Sequence, residues 1–219
     1  MLPMDRCCLP GAVMITIIDY GAGNLRSVQN MLRHVGAEAT IASTSAEIEK
    51  ASKLILPGVG HFDFGMKNLA SCGLLDVLHD KALNQQTPFL GICLGAQLLT
   101  RRSEEGDLPG LGWIAADTRR FDTSRLDDSL RVPHMGWAET EYQSENPFVQ
   151  ETGEKPRYYY VHSYHIVCDR QEDELCHATH GYRFTAGVQR DNIAGVQFHP
   201  EKSHRFGSAF LKKFVDLPC

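Results

Sequence analysis

Apolar residues in the first hundred positions follow two alternating patterns. Short, mainly apolar runs lie at residues 15–20, 39–42, 53–58 and 88–92. After the first run, apolar residues recur at the spacing of one helix face, at Leu25, Val28, Met31, Leu32 and Val35. Continuous apolar runs indicate buried strands, and the three-to-four-residue period indicates amphipathic helices. The chain therefore begins with a predicted strand, turn and helix.

The same alternation continues with a short helix that begins at Ser45 and a longer helical stretch over residues 64–83. Short strands that are apolar on both faces and alternate with helices are typical of a parallel sheet with right-handed crossovers. The predicted fold class is α/β, with a doubly wound, mostly parallel sheet.

The pattern changes after Gly112. Strand-like segments follow at 113–121, 157–167, 182–190 and 192–198, and an amphipathic helix is predicted over 203–215. These segments predict that the second half completes the sheet and adds antiparallel strands. Residues 123–130 are polar and predict a surface loop, and no repeat or boundary divides residues 14–219, which we expect to form one domain.

Composition excludes several classes of partner. The chain has 219 residues and a net charge of -5, with Lys and Arg scattered, which gives no basic patch for nucleic acid or anionic lipid. No apolar run is long enough to span a membrane, and the N-terminal segment is too short and too broken by proline for a signal peptide. We therefore expect a cytoplasmic protein without a nucleic-acid or membrane partner.

Motifs for metals and cofactors are weak. Seven cysteines at irregular spacing include no Cys-x-x-Cys pair, which disfavours disulfides and structural zinc. The dinucleotide motif fails after Gly-Ala-Gly-Asn-Leu because its third glycine is Arg26. His162 and His165 have loosely metal-like spacing, but a separation of three on one strand places the side chains on opposite faces. We expect no cofactor and no metal.

Gly-Ile-Cys-Leu-Gly, at 91–95, places a cysteine where an apolar strand becomes a helix. This is the spacing of the nucleophile elbow, with sulfur in place of the serine oxygen. The glycines let a strained turn close, and the start of a helix favours a thiolate there. Cys93 is thus a candidate nucleophile; the alternative is an inert thiol, since free cysteine is often buried.

A base for this nucleophile follows the apolar strand at 193–198. Pro200 restricts the backbone between His199 and Glu201, so the carboxylate can accept a hydrogen bond from the imidazole and fix its tautomer. The order Cys, His, Glu then forms a catalytic triad. Without Cys93, a solvated strand end would be the simpler interpretation.

Acyl transfer also needs donors for an oxyanion. The backbone N–H of Leu94, at the predicted helix start, is one candidate, and Val59 or Gly60 in Leu-Pro-Gly-Val-Gly is the other. The alternative for the second segment is an ordinary turn between a strand and a helix.

Three motifs in this order, PGVG, GICLGAQ and QFHPE, resemble the class I glutamine amidotransferases. Further motifs, DYGAGNLRSV, PGVGHFDFGM, PHMGW, YYYVHSY and HPEKS, are similar to the glutaminase subunits of imidazole glycerol phosphate synthases, over Met14 to Val215. This resemblance implies a flavodoxin-like sheet and hydrolysis of L-glutamine to glutamate and ammonia. Cys93 would form a glutamyl thioester, and His199 would protonate the departing ammonia and then activate water.

The resemblance also implies further sites. It assigns Gln97, the backbone near Gly60 and the segment His162, Ser163 and Tyr164 to the glutamine pocket. It implies a cyclase subunit, a (β/α)8 barrel, as partner in a one-to-one heterodimer of histidine biosynthesis. The interface residues it implies are Asn24, Trp137, Tyr160 and Lys202. Ala138 departs from the family pattern, which has asparagine after PHMGW.

Two other functions remain open from the sequence. A free-standing cysteine hydrolase, such as a γ-glutamyl peptidase, would share the elbow and the histidine. The other is a triad-bearing interaction subunit that has lost turnover, which the presence of Cys93, His199 and Glu201 disfavours. Residues 1–13 lie outside the resemblance; we expect that translation starts at Met14 or that this extension is disordered, with no function for Cys7 and Cys8.

Overall fold

The computed structural model describes residues 13–143, 146–148 and 154–218. The helices in this part of the chain are α1 (Leu25–His34), α2 (Ser45–Ile48), α3 (Phe62–Ser71), α4 (Leu75–His79), α5 (Leu94–Leu98) and α6 (His204–Asp216). The strands are β1 (Ile15–Ile18), β2 (Ala39–Ala42), β3 (Lys53–Gly58), β4 (Phe89–Cys93), β5 (Ala116–Arg120), β6 (His134–Tyr142), β7 (Arg157–His162), β8 (Tyr164–Cys168), β9 (Glu174–His180), β10 (Tyr182–Arg190) and β11 (Ile193–Val196). The extension at residues 1–12 lies outside the described residues.

The strands form one sheet with a parallel part and an antiparallel part. Their order is β2-β1-β3-β4-β11-β10-β9-β6-β7, with β8 paired to β10 and β5 paired to β8. The strands from β2 to β11 in this order pair in parallel. From β10 onward the pairings are antiparallel. The predicted α/β fold, with a parallel sheet and antiparallel strands added by the second half, is therefore confirmed.

Helices cover both faces of the parallel strands. One core contains apolar residues of α2, α3, α4 and α5, including Ile48, Leu69 and Leu98. The other contains residues of α1 and α6, including Leu32 and Phe210. Because both faces are buried, the parallel strands read as continuous apolar runs in the sequence.

Several predicted boundaries were wrong. The helical stretch over 64–83 consists of α3 and α4, separated near Gly73, whose φ of 66° ends the first helix. A π-helical turn, Asp80–Asn84, continues α4. The single predicted strand at 157–167 is two strands that separate at Ser163. Strands β6 and β9 were not predicted, because both are partly solvated and rich in polar residues.

The break at Ser163 also corrects the prediction that His162 and His165 face opposite ways. Both imidazole rings lie against Phe121, with ring centroids 5.2 Å and 4.8 Å away. The strict alternation of faces holds only within one continuous strand. Over the described ranges, no helix has both the length and the apolar character needed to cross a membrane.

Candidate active site

Cys93 occupies a strained turn between β4 and α5. Its φ of 55° and ψ of -111° lie outside the regions that non-glycine residues prefer. The turn can close because Gly95 lets the helix approach β3: a Cβ at this position would lie 1.8 Å from the carbonyl oxygen of Leu56. The side chain of Cys93 therefore stands at the carboxyl edge of the parallel strands, as the elbow motif predicts.

The strand next to β4 delivers the histidine. β11 pairs in parallel with β4, and the chain continues from β11 to His199 at the same edge of the sheet. His199 Nδ1 lies 2.8 Å from Oε1 of Glu201, and both side chains are only 2% exposed. A buried carboxylate at this distance fixes the ring so that Nδ1 carries a proton and Nε2 faces the cleft.

The electrostatics of His199 suit a proton donor. Burial lowers its pKa, but the neighbouring Cys93 and Glu201 more than offset this and raise the pKa to about 9. Nε2 of His199 and Oε2 of Glu201 are both buried, and neither atom makes a hydrogen bond to the protein. The ring is thus held in its charged form next to the sulfur, with one nitrogen unoccupied.

A cleft of about 330 Å³ opens on this pair. The sequence-predicted residues that line it are Cys93, His199, Val59, Gly60, Leu94, Gln97, His162, Ser163 and Tyr164. All the residues expected to bind glutamine or its oxyanion therefore lie together in one cleft. Gly60 has a φ of 105°, a backbone conformation that residues with a side chain rarely adopt.

Gln97 lines the cleft and bonds a second glutamine, Gln197, whose side chain is fully buried. Gln97 Nε2 donates to the backbone oxygen of Tyr164 at 3.3 Å and to Oε1 of Gln197 at 3.0 Å. Gln197 Nε2 in turn lies 3.7 Å from Cys93 Sγ. These bonds connect the nucleophile to the strand that carries the other wall of the cleft.

Sequence reasoning missed Glu105 and Gln197. Glu105 lines the cleft, and its Oε2 accepts a hydrogen bond from the backbone N–H of Phe62 at 2.8 Å. It lies in a short acidic stretch in a loop, and its only local signal is the neighbouring Glu104. Gln197 lies within the QFHPE motif, where its position two residues before His199 was the available signal.

A layer of buried aromatic and histidine side chains supports the wall that carries His162. His134 Nδ1 and His162 Nε2 lie 3.2 Å apart, and His162 Nδ1 lies 2.7 Å from the backbone oxygen of Tyr164. Burial lowers the pKa of His134 to about 4 and lowers that of His162. These histidines are therefore neutral hydrogen-bonding groups, and within the described ranges no cluster of His, Cys, Asp or Glu has the arrangement of a metal site.

The residues expected at a partner interface divide into two groups. Asn24, Trp137 and Lys202 are exposed. Tyr160 is fully buried, and its hydroxyl contacts that of Thr140 at 2.6 Å, so the expectation for Tyr160 was wrong. Alternation along β7 places Tyr159 on the outer face instead, where Lys202 Nζ lies 5.7 Å from its ring centroid.

Comparison with known proteins agrees with this geometry. The sequence profile of the family "Glutamine amidotransferase class-I" matches residues 16–217. The subunit HisH 2 of imidazole glycerol phosphate synthase from Pseudomonas aeruginosa is 51% identical over 93% of this chain and its own full length. The HisH 2 subunit from Methanococcus maripaludis is 47% identical over 92% of this chain and 98% of its own length.

Solved structures share the fold at much lower sequence identity. The structure of PurLQS from Thermotoga maritima contains a chain that matches with a TM-score of 0.71 at 18% identity, over 93% of this chain and 97% of its own. At this identity the likeness concerns the fold alone. The family profile and the HisH relatives show that this chain belongs to the class I glutamine amidotransferases, in the group of imidazole glycerol phosphate synthase HisH subunits.

Proposed function

We propose that this chain is the glutaminase subunit of an imidazole glycerol phosphate synthase, and that Cys93, His199 and Glu201 are its catalytic triad. The observation that carries the proposal is that Cys93, at a strained elbow, and His199 line one small cleft, and that His199 is paired with the buried Glu201. Membership of the class I glutamine amidotransferases supports the same reaction.

The reaction begins when the Cys93 thiolate attacks the side-chain carbonyl carbon of glutamine. The carbonyl electron pair moves to the oxygen, which the N–H groups of Leu94 and of Val59 or Gly60 would stabilise. Collapse of this intermediate breaks the C–N bond, and His199 Nε2 donates the proton that releases ammonia. A glutamyl thioester on Cys93 remains.

Hydrolysis of the thioester uses the same residues in reverse roles. Neutral His199 removes a proton from water as the water oxygen attacks the thioester carbonyl. The C–S bond breaks, glutamate leaves, and the thiolate and the imidazolium are restored. Glu201 does not exchange a proton; it holds Nδ1–H and stabilises the positive ring.

The cleft also supports a substrate class. Glu105 presents a carboxylate to the cleft, held at Oε2 by the Phe62 N–H, and we infer that it pairs with the α-ammonium group of glutamine. Gln97, Ser163 and Tyr164 line the same space. A volume of about 330 Å³ is at the small end for ligand pockets and suits one amino acid better than a peptide.

An exposed surface adjoins the triad and suits a partner. Met135 and Trp137 are 64% and 40% exposed on the outer face of β6, next to Tyr159 and Lys202. We propose that this surface, with Asn24, binds a cyclase subunit of the (β/α)8-barrel type, which consumes the ammonia in histidine biosynthesis in the cytoplasm. The relatives are named as subunits of such a synthase, which supports a partner chain.

Substitution of Cys93 tests the proposal. We expect Cys93→Ala, combined with a cyclase subunit, to lose glutamine-dependent synthesis and to retain ammonia-dependent synthesis, since only ammonia production needs the sulfur. Cys72→Ala is the matched control, because Cys72 is an exposed free cysteine. Glutamine-dependent turnover by Cys93→Ala would contradict the mechanism.

Two further assays separate the alternatives. A γ-glutamyl peptidase would release products from γ-glutamyl peptides without a cyclase, and a subunit without turnover would not react at Cys93 with a glutamine-analogue electrophile. We expect the wild-type chain to be labelled at Cys93 by such an electrophile and to transfer its ammonia when the cyclase is present.

A further inference from the structure

Gln197 is a buried amide that contacts the reacting sulfur and has no part in the triad reaction. Its side chain is inaccessible to solvent, and its Nε2 lies 3.7 Å from Cys93 Sγ. It precedes His199 by two residues, and alternate residues of an extended segment share a face. Phe198 lies between them and points the other way. Its ring stacks on that of Tyr158, with the ring centroids 3.8 Å apart. Gln197 and His199 thus approach the same sulfur from one segment.

Neighbouring groups determine the orientation of the Gln197 amide. Gln97 Nε2 contacts the backbone oxygen of Tyr164, which can only accept, so the NH2 group of Gln97 must be on this side. That NH2 group also donates to Gln197, which must therefore present its oxygen there. The NH2 group of Gln197 consequently faces Cys93 Sγ.

An N–H group at this position favours one state of the sulfur. A thiol is a weak acceptor, whereas hydrogen bonds to an ionised acceptor are about twice as strong as neutral ones. The sulfur of the thioester is neutral again, so the bond weakens once the nucleophile has reacted. An amide does not titrate, so this preference for the thiolate is the same at every pH at which the protein is folded.

We propose that Gln197 is a further catalytic residue, which stabilises the Cys93 thiolate and aims it through an N–H···S hydrogen bond. The inference rests on the proposed glutaminase function. A residue that only filled this space could be apolar, since a buried amide destabilises the fold unless its polar atoms are paired. Here the oxygen is paired with Gln97, and the nitrogen is directed at the nucleophile.

Alkylation of Cys93 tests the proposal without substrate. The full chain is treated with iodoacetamide at neutral pH, and the labelled Cys93 peptide is quantified over time by mass spectrometry. We expect Gln197→Met to react at least about tenfold more slowly than wild type, because it loses a hydrogen bond to a charged group. Gln197→Glu should react more slowly still, since a carboxylate oxygen then faces the sulfur.

The matched control is Gln189→Met, which changes a partly buried glutamine on β10 away from the cleft and should react at the wild-type rate. In the complex with a cyclase, Gln197→Met should lower kcat for glutamine by about tenfold or more and leave KM within about twofold. Gln197→Met should co-elute with the cyclase in gel filtration as wild type does, which shows that the variant folds and assembles, and ammonia-dependent synthesis at the wild-type level shows that the cyclase site is unaffected.

Two results would overturn the proposal: a wild-type alkylation rate in Gln197→Met, or a raised KM with unchanged kcat, which would limit the residue to the pocket. If Gln197→Met does not fold, Gln197→Glu decides, because one carboxylate oxygen can still accept from Gln97. Absence of glutaminase activity in the wild-type complex would instead refute the proposed function, and the alkylation comparison would still be valid.

Discussion

Buried polar groups differ between the two halves of the sheet. In the antiparallel half they are paired with one another: His134 with His162, Thr140 with Tyr160, and His165 with Tyr182. At the carboxyl edge of the parallel half, three buried side-chain atoms have no hydrogen-bond partner, and they are the unpaired atoms among the described residues. They belong to Tyr20, His199 and Glu201.

The unpaired atoms lie around the nucleophile. Cys93 affects the pKa of both His199 and Tyr20, which places all these groups close together. A buried polar atom without a partner costs about 1–3 kcal/mol, and in the described part of the chain this cost occurs only beside the cleft. The comparison teaches that the antiparallel half supplies a satisfied, rigid wall, and that the parallel half supplies groups still free to act on substrate.

Within the parallel half, the elbow should be the position most sensitive to added volume. Gly95→Ala places a methyl group 1.8 Å from the Leu56 oxygen, so α5 must move away from β3. We expect the free energy of unfolding to fall by about 4 kcal/mol or more in urea titrations. Gly36→Ala is the control: nothing lies within 4 Å of the added carbon, and its φ of 82° should cost only about 1–2 kcal/mol. Equal losses would contradict the close packing of the elbow.

The antiparallel half should be the more sensitive to acid. Burial lowers the pKa of His134 to about 4 and also lowers those of His162 and His165. The unfolded chain binds these protons from about pH 6.5 downward, so stability is complete above that pH and falls toward pH 4. For His134 the shift corresponds to about 3 kcal/mol.

Urea unfolding at pH 7 and at pH 5 measures how much the free energy of unfolding falls between these pH values. We expect His134→Phe to reduce the loss of stability between the two pH values, and His34→Ala, which changes an exposed histidine, to leave it unchanged. The carboxylates contribute equally in all three proteins. An unaltered acid slope in His134→Phe would mean that this histidine is not held neutral by the fold.

The sequence predicted the parallel half better than the antiparallel half. Strands β2 and β3 were predicted with their observed boundaries, because each is a short, mainly apolar run between helices. Every residue of β3 is buried, whereas β2 is a partly exposed edge strand. Strand β9 was missed although it pairs with the adjacent β10, because polar residues interrupt its apolar ones. Strand β6 was missed because it pairs with β7 and β9, which lie far along the chain. Local pattern contains no information about such pairings.

The candidate site shows the same division. Cys93, His199 and Glu201 were predicted because short motifs with fixed geometry contain them. Glu105 was missed because a loop brings it to the cleft and its partner, the N–H of Phe62, is 43 residues away. Tyr160 was assigned to the interface by resemblance but is buried, because the sequence alone did not fix which residues of β7 face outward.

Activity in the cleft should be lost in alkali, whereas the stability of the antiparallel half is lost in acid. The pKa of His199 is raised to about 9, so the imidazolium is present below that value and is lost as the pH rises through it. We expect kcat/KM for glutamine to fall about tenfold per pH unit above pH 9. In Glu201→Gln the fall should begin at lower pH, because Glu201 helps to raise this pKa. An unchanged alkaline limb in that variant would contradict the assignment of His199 as proton donor.

The smallest expected effect compares one hydroxyl from each half. The Tyr20 hydroxyl is buried without a hydrogen bond, whereas that of Tyr160 bonds Thr140 at 2.6 Å. We expect Tyr20→Phe to leave the free energy of unfolding unchanged or to raise it by up to about 1 kcal/mol, since an unpaired polar atom is removed. Tyr160→Phe should lower it by about 1 kcal/mol, because the Thr140 hydroxyl loses its partner. Urea midpoints at neutral pH measure both, and an equal loss in the two variants would show that the two halves do not differ in how they satisfy buried polar groups.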